Sequence, residues 1–555
     1  MRRNERAFCL GLGILLLSVS AGAAAPVHLW SQRFGGTGSD YGRVVAVDAS
    51  DNVILTGRMW GTTDFGGGNL VSAGLQDVFV AKYDASGAHE WSQRFGGTGW
   101  DEGLAIAVDA SGNVIVTGYF HGTVDFGGGN LVSAGAYDVF VAKYDASGAH
   151  EWSHRFGGTS NDVGCTIAVD ALGNVVVTGF FVGTVDFGGG NLVSAGSADV
   201  FVAKYDASGA HEWSQRFGGA NSDESAAIAV DASGNVIVAG FFVGTADFGG
   251  GNLVSAGDYD VFVAKYDASG AHQWSQRFGG TSSDFGWAIA VDASGNVIVT
   301  GSFHGTVDFG GGNVVSAGSD DVFVAKYDAS GAHQWSQRFG GTSNEHSRGV
   351  AADASGNVIV TGFFGGTADF GGGNVVSAGS DDVFVAKYDA SGAHQWSQRF
   401  GGTSTDNGRG VATDASGNVI VTGFFGGTAD FGGGNLVSAG DFDIFLAKYA
   451  GGTPTGVDPE LVLTNYLVAN YPNPFNPTTT IRYGIKERSH VTLRIYNVAG
   501  QLVRTLVDET QTAAPGYRVL WDGASNSGDL VASGVYFYKL TAKNFIKTRK
   551  MVLLK

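Results

Sequence analysis

The sequence predicts an all-β protein, a seven-bladed β-propeller built from 61-residue repeats, followed by a small immunoglobulin-like β-sandwich. Three observations predict the propeller. Trp30, Trp91, Trp152, Trp213, Trp274, Trp335 and Trp396 recur every 61 residues, each in a close variant of H-x-W-S-Q-R-F-G-G. Within each repeat four short stretches rich in Val, Ile, Phe, Tyr and Trp are separated by turn chemistry, the pattern of four antiparallel strands. The first and last repeats are complementary fragments, which a ring explains and a linear solenoid does not.

Taken in order along one repeat, strand a is the A-I-A-V-D stretch and strand b the N-V-I-V-T-G stretch, joined by Ala-Ser-Gly. Strand c is D-V-F-V-A-K-Y and strand d is H-x-W-S-Q-R-F, joined by Asp-Ala-Ser-Gly-Ala. In these joints Asp and Ser bond the turn backbone, and Gly supplies the positive φ that a bulged hairpin needs. Stretches such as Val139 to Ala142 are apolar on both faces, which fits sheets covered on both sides. The chain opens at His28–Phe34 with a lone strand d. The seventh repeat supplies strands a, b and c between Val411 and Tyr449 and then stops, since Val457 stands where an eighth Trp would fall. The N-terminal strand is therefore expected to complete blade 7 and hide both ring edges.

These residues, D-x-x-x-x-I-A-V-D-A-S-G-N-V-x-V-T-G followed by D-V-F-V-A-K-Y-D-A-S-G, resemble the SBBP repeat, a bacterial β-propeller repeat. The resemblance covers residues 28–449 and implies a fold, not a ligand.

Residues 1–25 read as a signal peptide. Arg2, Arg3 and Arg6 precede an apolar stretch from Ala7 to Val19, and Ala21-Gly22-Ala23 and Ala23-Ala24-Ala25 fit an A-x-A cleavage site. Cys9 leaves with that segment, so Cys165 stands alone and no intramolecular disulfide is expected. No later stretch is apolar for long enough to span a bilayer as a helix, so no transmembrane segment is expected in the mature chain. Between residues 28 and 452 there are 18 Lys+Arg against 44 Asp+Glu, a balance that repels phosphate backbones and argues against nucleic acid as a partner.

After the propeller (27–449) comes a linker (450–469), and residues 470–555 alternate short strands as a small sandwich does. This last segment resembles the type A sorting domain of the type IX (Por) secretion system. The matching residues are Asn473, Pro474, Phe475, Asn476 and Pro477, then Gly534, Val535 and Tyr536, and a Lys-rich end. The resemblance implies a Gram-negative source and export across inner and outer membranes, with the secretion machinery as partner. The product would be extracellular or attached to the cell surface.

No H-E-x-x-H, G-x-S-x-G, paired zinc cysteines or P-loop is present, and the expectation is a chain without enzymatic activity. Seven histidines at the His89 position, and the repeated D-F-G-G-G, are too regular for catalysis; the glycines fit tight turns. No cofactor is expected. Calcium on the Asp-rich loops stays open, although no D-x-D-x-D-G run supports it. Function is expected where the repeat is broken. Trp60, Trp100 and Trp287 are the propeller's non-periodic tryptophans, placed in or beside the b–c and d–a loops. One position, placed just before strand a, reads Arg43, Leu104, Cys165, Ala226, Trp287, Arg348 and Arg409 in blades 1 to 7. In a closed ring Trp287, Arg348, Arg409 and Arg43 form one arc near the channel mouth. Arginine forks a carboxylate or phosphate and Trp stacks on rings, so an anionic ligand such as an acidic glycan is one reading. Pairing of each Arg with a loop acid such as Asp40 or Asp406 is the other. A binding or adhesion propeller, with a glycan or another surface protein as partner, leads. A structural surface protein without a specific ligand and a polysaccharide-acting enzyme are the alternatives.

Overall fold

The computed structural model describes residues 26–451, 465–467, 470, 473, 475–486, 488–511, 514–543 and 545–554. Residues 1–25, where a signal peptide is expected, most of the linker and Pro474 lie outside the described residues. Two compact units divide after Pro454.

The first unit is the seven-bladed propeller. Blade 1 is the antiparallel sheet Tyr41–Val47, Val53–Met59, Asp77–Tyr83 and His89–Phe95, in that order. Blade 7 orders Asp406–Thr413, Val419–Phe425, Asp443–Tyr449 and then His28–Phe34, so the N-terminal strand does close the last blade. Its register runs from Trp30↔Lys448 to Phe34↔Ile444. Each innermost strand touches the next around the axis, and Asp406–Thr413 touches Tyr41–Val47 to complete the circle.

Local chemistry explains the blades. In the a–b turn the Asp48 carboxylate accepts from the Ser50 and Asn52 backbone N–H groups, both at 2.9 Å, and from Asn52 Nδ2. In the c–d turn Asp84 does the same for Ser86 and Ala88, and Gly87 takes φ 85°, a region that an L side chain resists. Lys82 reaches back to Asp48 at 3.1 Å and forward to the Ala146 carbonyl of the next blade, so one ammonium ties two blades together. Arg94 pairs with Asp77, and Arg33 with Asp443. The periodic charges are thus turn and blade fixtures. Between blades, Ile54, Val78 and Val80 pack against Phe120, Phe126 and Phe140 in one buried cluster. Each such side chain contributes about 1.5–3 kcal/mol on burial.

The b–c connection is more ordered than its sequence suggests. Thr62–Asp64 and Asn69–Val71 pair as a small hairpin around the F-G-G-G segment. The Asp64 carboxylate accepts from Gly66 N and Gly68 N, which sit at φ 107° and 108°. Phe65 is fully buried and stacks on Phe79 with centroids 4.5 Å apart. The periodic His89 bonds Ser92 Oγ at 3.0 Å and lies against Gly67, where a Cβ would come within 2.4 Å of its ring.

The second unit packs Tyr466–Leu467, Thr479–Ile485 and Ala514–Trp521 as one sheet. The other sheet is Leu502–Gln511, Ser489–Asn497, Gly534–Ala542 and Phe545–Leu553. Tyr536, Tyr538, Leu540 and Ala542 alternate inward along one strand, around a buried Trp521. Phe475 is buried against Trp521 (5.5 Å between centroids), and its N–H donates to the Val552 carbonyl. Asn473 Oδ1 accepts from Val552 N at 2.8 Å, and Tyr536 packs edge-on to Trp521 while its hydroxyl donates to Ala532 O. Asn473, Phe475 and Tyr536 therefore clasp the last strand to the sandwich core. Among the described residues no helix is long and apolar enough to cross a membrane.

Candidate ligand site at the propeller axis

Strand a carries a β-bulge in every blade. In blade 1 the register jumps from Gly42↔Gly57 to Val44↔Thr56, leaving Arg43 as the unpaired residue. The same jump leaves Trp287 unpaired between Gly286 and Ala288, Arg348 between Ser347 and Gly349, and Arg409 between Gly408 and Gly410. This corrects the placement expected from sequence. Arg43, Trp287, Arg348 and Arg409 lie inside strand a, not in the d–a loops or just before the strand. The physical reason is the extra residue itself, which breaks the alternation that sequence reading relies on and re-aims its side chain.

All seven bulge residues line one axial cavity of about 350 Å3, and the arc faces that space. Two further positions vary with them. Two residues before the bulge stand Tyr41, Glu102, Val163, Glu224, Phe285, His346 and Asn407. Opposite these on strand b stand Arg58, Tyr119, Phe180, Phe241, Ser302, Phe363 and Phe424.

The arc is not uniform. Arg43 Nε donates to Glu102 of the next blade at 2.5 Å, Arg58 reaches the same carboxylate at 3.1 Å, and the Tyr119 hydroxyl donates to it at 2.8 Å. Burial alone would raise the Glu102 pKa, but Arg43 and Arg58 outweigh it and hold the group below its ordinary range. Arg43 is therefore spoken for. Asp40 and Asp406, the loop acids considered as partners, serve the backbone instead. Asp40 accepts from Gly36 N and Trp60 N, and Asp406 from Gly402 N and Gly426 N.

Arg348 and Arg409 differ. Neither makes an ion pair or hydrogen bond among the described residues, and the Nε of each is buried without a partner. Arg348 lies over the Trp287 ring at 4.1 Å, and Arg409 over Phe424 at 5.4 Å. Burial, and then the charge of Arg43, lower their pKa values to about 10 and about 9. Both remain cations at neutral pH. Two desolvated guanidinium groups without a counter-ion cost free energy that a bound anion would recover.

Beside them, Trp287 stacks on Phe285 and packs edge-on to Phe241, and Tyr259 adjoins both phenylalanines. Burial, and then the charge of Arg348, hold the His346 pKa below its ordinary value. Cys165 also lines the cavity, but burial and then Glu224 push its thiol up to about 12, which leaves no thiolate nucleophile. Trp60 and Trp100, 46% and 42% exposed, do not line the cavity with the arc. Sequence reading missed Glu102, Glu224, His346 and Phe241. The signal was the same one that found the arginines, variation at a fixed repeat position, two residues upstream and across the strand pair.

Comparison with known proteins gives the following. Residues 395–423 match the beta-propeller repeat family, SBBP, and residues 477–545 match the FlgD Ig-like domain family. An uncharacterised WD repeat-containing protein of Acanthamoeba polyphaga mimivirus is 23% identical over 431 residues, covering 60% of this chain and 31% of its own length. The regulatory protein FlaEY of Caulobacter vibrioides is 29% identical over 177 residues, covering 30% of this chain and 18% of its own. The chain thus spans less than a third of either relative. Among solved structures, PorZ, a surface component of the type IX secretion system of Porphyromonas gingivalis, aligns over 96% of this chain and 99% of its own at 12% identity and a TM-score of 0.20.

Proposed function

We propose that this protein is an exported, non-enzymatic binding propeller whose axial cavity takes an anionic group, with a carboxylated glycan as the leading ligand class. One observation carries the reading: Arg348 and Arg409 are half-buried, cationic and without a protein counter-ion, and both face the same cavity. Guanidinium forks carboxylates with two parallel hydrogen bonds, and Trp287 beside Arg348 gives the cavity an aromatic wall. Export by the type IX system is supported by the clasp formed by Asn473, Phe475 and Tyr536 and by the motif those residues belong to.

The test is calorimetric titration of the purified protein with uronic-acid oligosaccharides, sialosides, inorganic phosphate and neutral sugars of matched size. The expected result is binding confined to the acidic members and weakened at least tenfold by Arg348→Glu or Arg409→Glu. Equal affinity for acidic and neutral sugars, or charge reversals without effect, overturns it. For export, replacing Phe475 with Ala in a type IX-competent host should retain the protein in the periplasm, and unchanged appearance in the medium would defeat that part.

A further inference from the structure

The cavity holds a second unpaired charge, of opposite sign. Glu224 of blade 4 occupies the same strand position as Glu102 of blade 2, yet the two carboxylates have different surroundings. Glu102 is met by Arg43, Arg58 and Tyr119. Glu224 lines the cavity and makes no hydrogen bond or ion pair among the described residues. Across the strand pair it faces Phe241, whose ring packs on Trp287, and the Trp287 ring in turn lies under Arg348. Around the axis the order is therefore a bare carboxylate in blade 4, an aromatic wall in blades 4 and 5, and bare guanidinium groups in blades 6 and 7.

We propose that the axial site is built for a small zwitterion, with its anionic group on Arg348 and Arg409, its ammonium on Glu224, and the carbon skeleton between them against Trp287 and Phe241. This rests on the anion reading above and adds its second pole. Neither charged group has a protein counter-ion, and a ligand carrying both charges satisfies them together, which matters because all three side chains are partly withdrawn from water. The aromatic wall favours the same ligand, because an ammonium near Phe241 gains from the ring's π-electrons as well as from the carboxylate. A cavity of about 350 Å3 fits a molecule of amino-acid or amino-sugar-acid size. Burial, with no opposing partner, raises the Glu224 pKa, and an incoming ammonium would lower it again.

The experiment uses the full chain and a series of ω-amino acids of rising length, each also as its N-acetyl form, which keeps only the anion, and its methyl ester, which keeps only the cation. The zwitterions should bind best at one chain length, and N-acetylation should cost at least tenfold. Glu224→Gln should erase that penalty, so that the zwitterion and its N-acetyl form bind alike, while Arg348→Glu should abolish binding of both. If the N-acetyl forms bind as well as the zwitterions and Glu224→Gln changes nothing, the zwitterion inference falls and the anion reading stands. If the esters bind and the N-acetyl forms do not, or if no member of the series binds, both fall.

Discussion

The two carboxylates at one strand position, Glu102 and Glu224, divide the propeller into a part that is finished and a part that is not. Around Glu102 both guanidinium groups find a counter-ion, and in the a–b and c–d turns Asp48 and Asp84 repeat the same bonds blade after blade. Around Glu224, Arg348 and Arg409 the protein leaves charges unmatched at the axis. The repeat supplies a scaffold so regular that its departures from regularity are informative, because each unpaired group costs stability that the fold does not recover from itself.

Breaking the matched side should show the largest effect. Glu102→Ala strips Arg43 and Arg58 of their counter-ion, and a loss of roughly 2–3 kcal/mol is expected in chemical denaturation, the low side for a buried pair because both arginines keep some solvent. Glu224→Ala, at the same position, should cost nothing or stabilise slightly; equal losses would erase the distinction between the two sites.

The second effect comes from acids that the repeat buries in every blade. Burial, offset in part by Gly36 and Trp60 N–H groups and the Thr63 hydroxyl, raises Asp40 to about 6, and its counterparts Glu345 and Asp406 reach about 7. A carboxyl whose folded pKa lies above its unfolded value contributes stability that is complete below the unfolded value and lost as pH rises through the folded one. The melting temperature should therefore rise by several degrees between about pH 7.5 and about pH 5. Turn acids such as Asp48, lowered by Asn52 and Lys82 despite partial burial, reverse the trend only further into acid. A melting temperature that falls steadily from neutrality would contradict this.

A smaller gain is expected on removing an unmatched cation. Arg348→Met keeps the contact with Trp287 and deletes a desolvated charge, so stability should increase by about 0.5–1 kcal/mol while acidic-ligand binding is lost. Smallest of all, Trp60→Ala and Trp100→Ala, both on exposed loops, should stay within about 0.5 kcal/mol of the parent and leave ligand affinity intact. Loss of binding in either would move the site outward from the axis.

The blades, their order and the closure by His28–Phe34 were legible because a 61-residue period multiplies weak strand signals seven times. The Arg43, Trp287, Arg348 and Arg409 arc was legible for the same reason. Two things were hidden. The b–c hairpins pair three residues with three, Thr62–Asp64 with Asn69–Val71, and a three-residue stretch is too short for its alternation to be read as a strand. The pairing of Arg43 was hidden because its partner lies on another blade, 59 residues away, and ring geometry brings them together. Asp40 is nearer in sequence, but Gly36, Trp60 and Thr63 already occupy its oxygens.

The closing strand also sets a clock. Arg33 and its partner Asp443 are separated by 410 residues. At a synthesis rate of about 5–20 residues per second, the first strand of the ring waits on the order of 20–80 s before its partner exists. Blades 1 to 6 can form from contiguous chain as it emerges, but blade 7 cannot, and until it does an unpaired edge is open to any other chain nearby. Anything that shortens the time between the arrival of Asp443–Tyr449 and its meeting with His28–Phe34 protects the whole molecule. A rigid fusion ahead of residue 28 would lengthen that time and raise the fraction lost to aggregation, with no change in any contact of the finished ring.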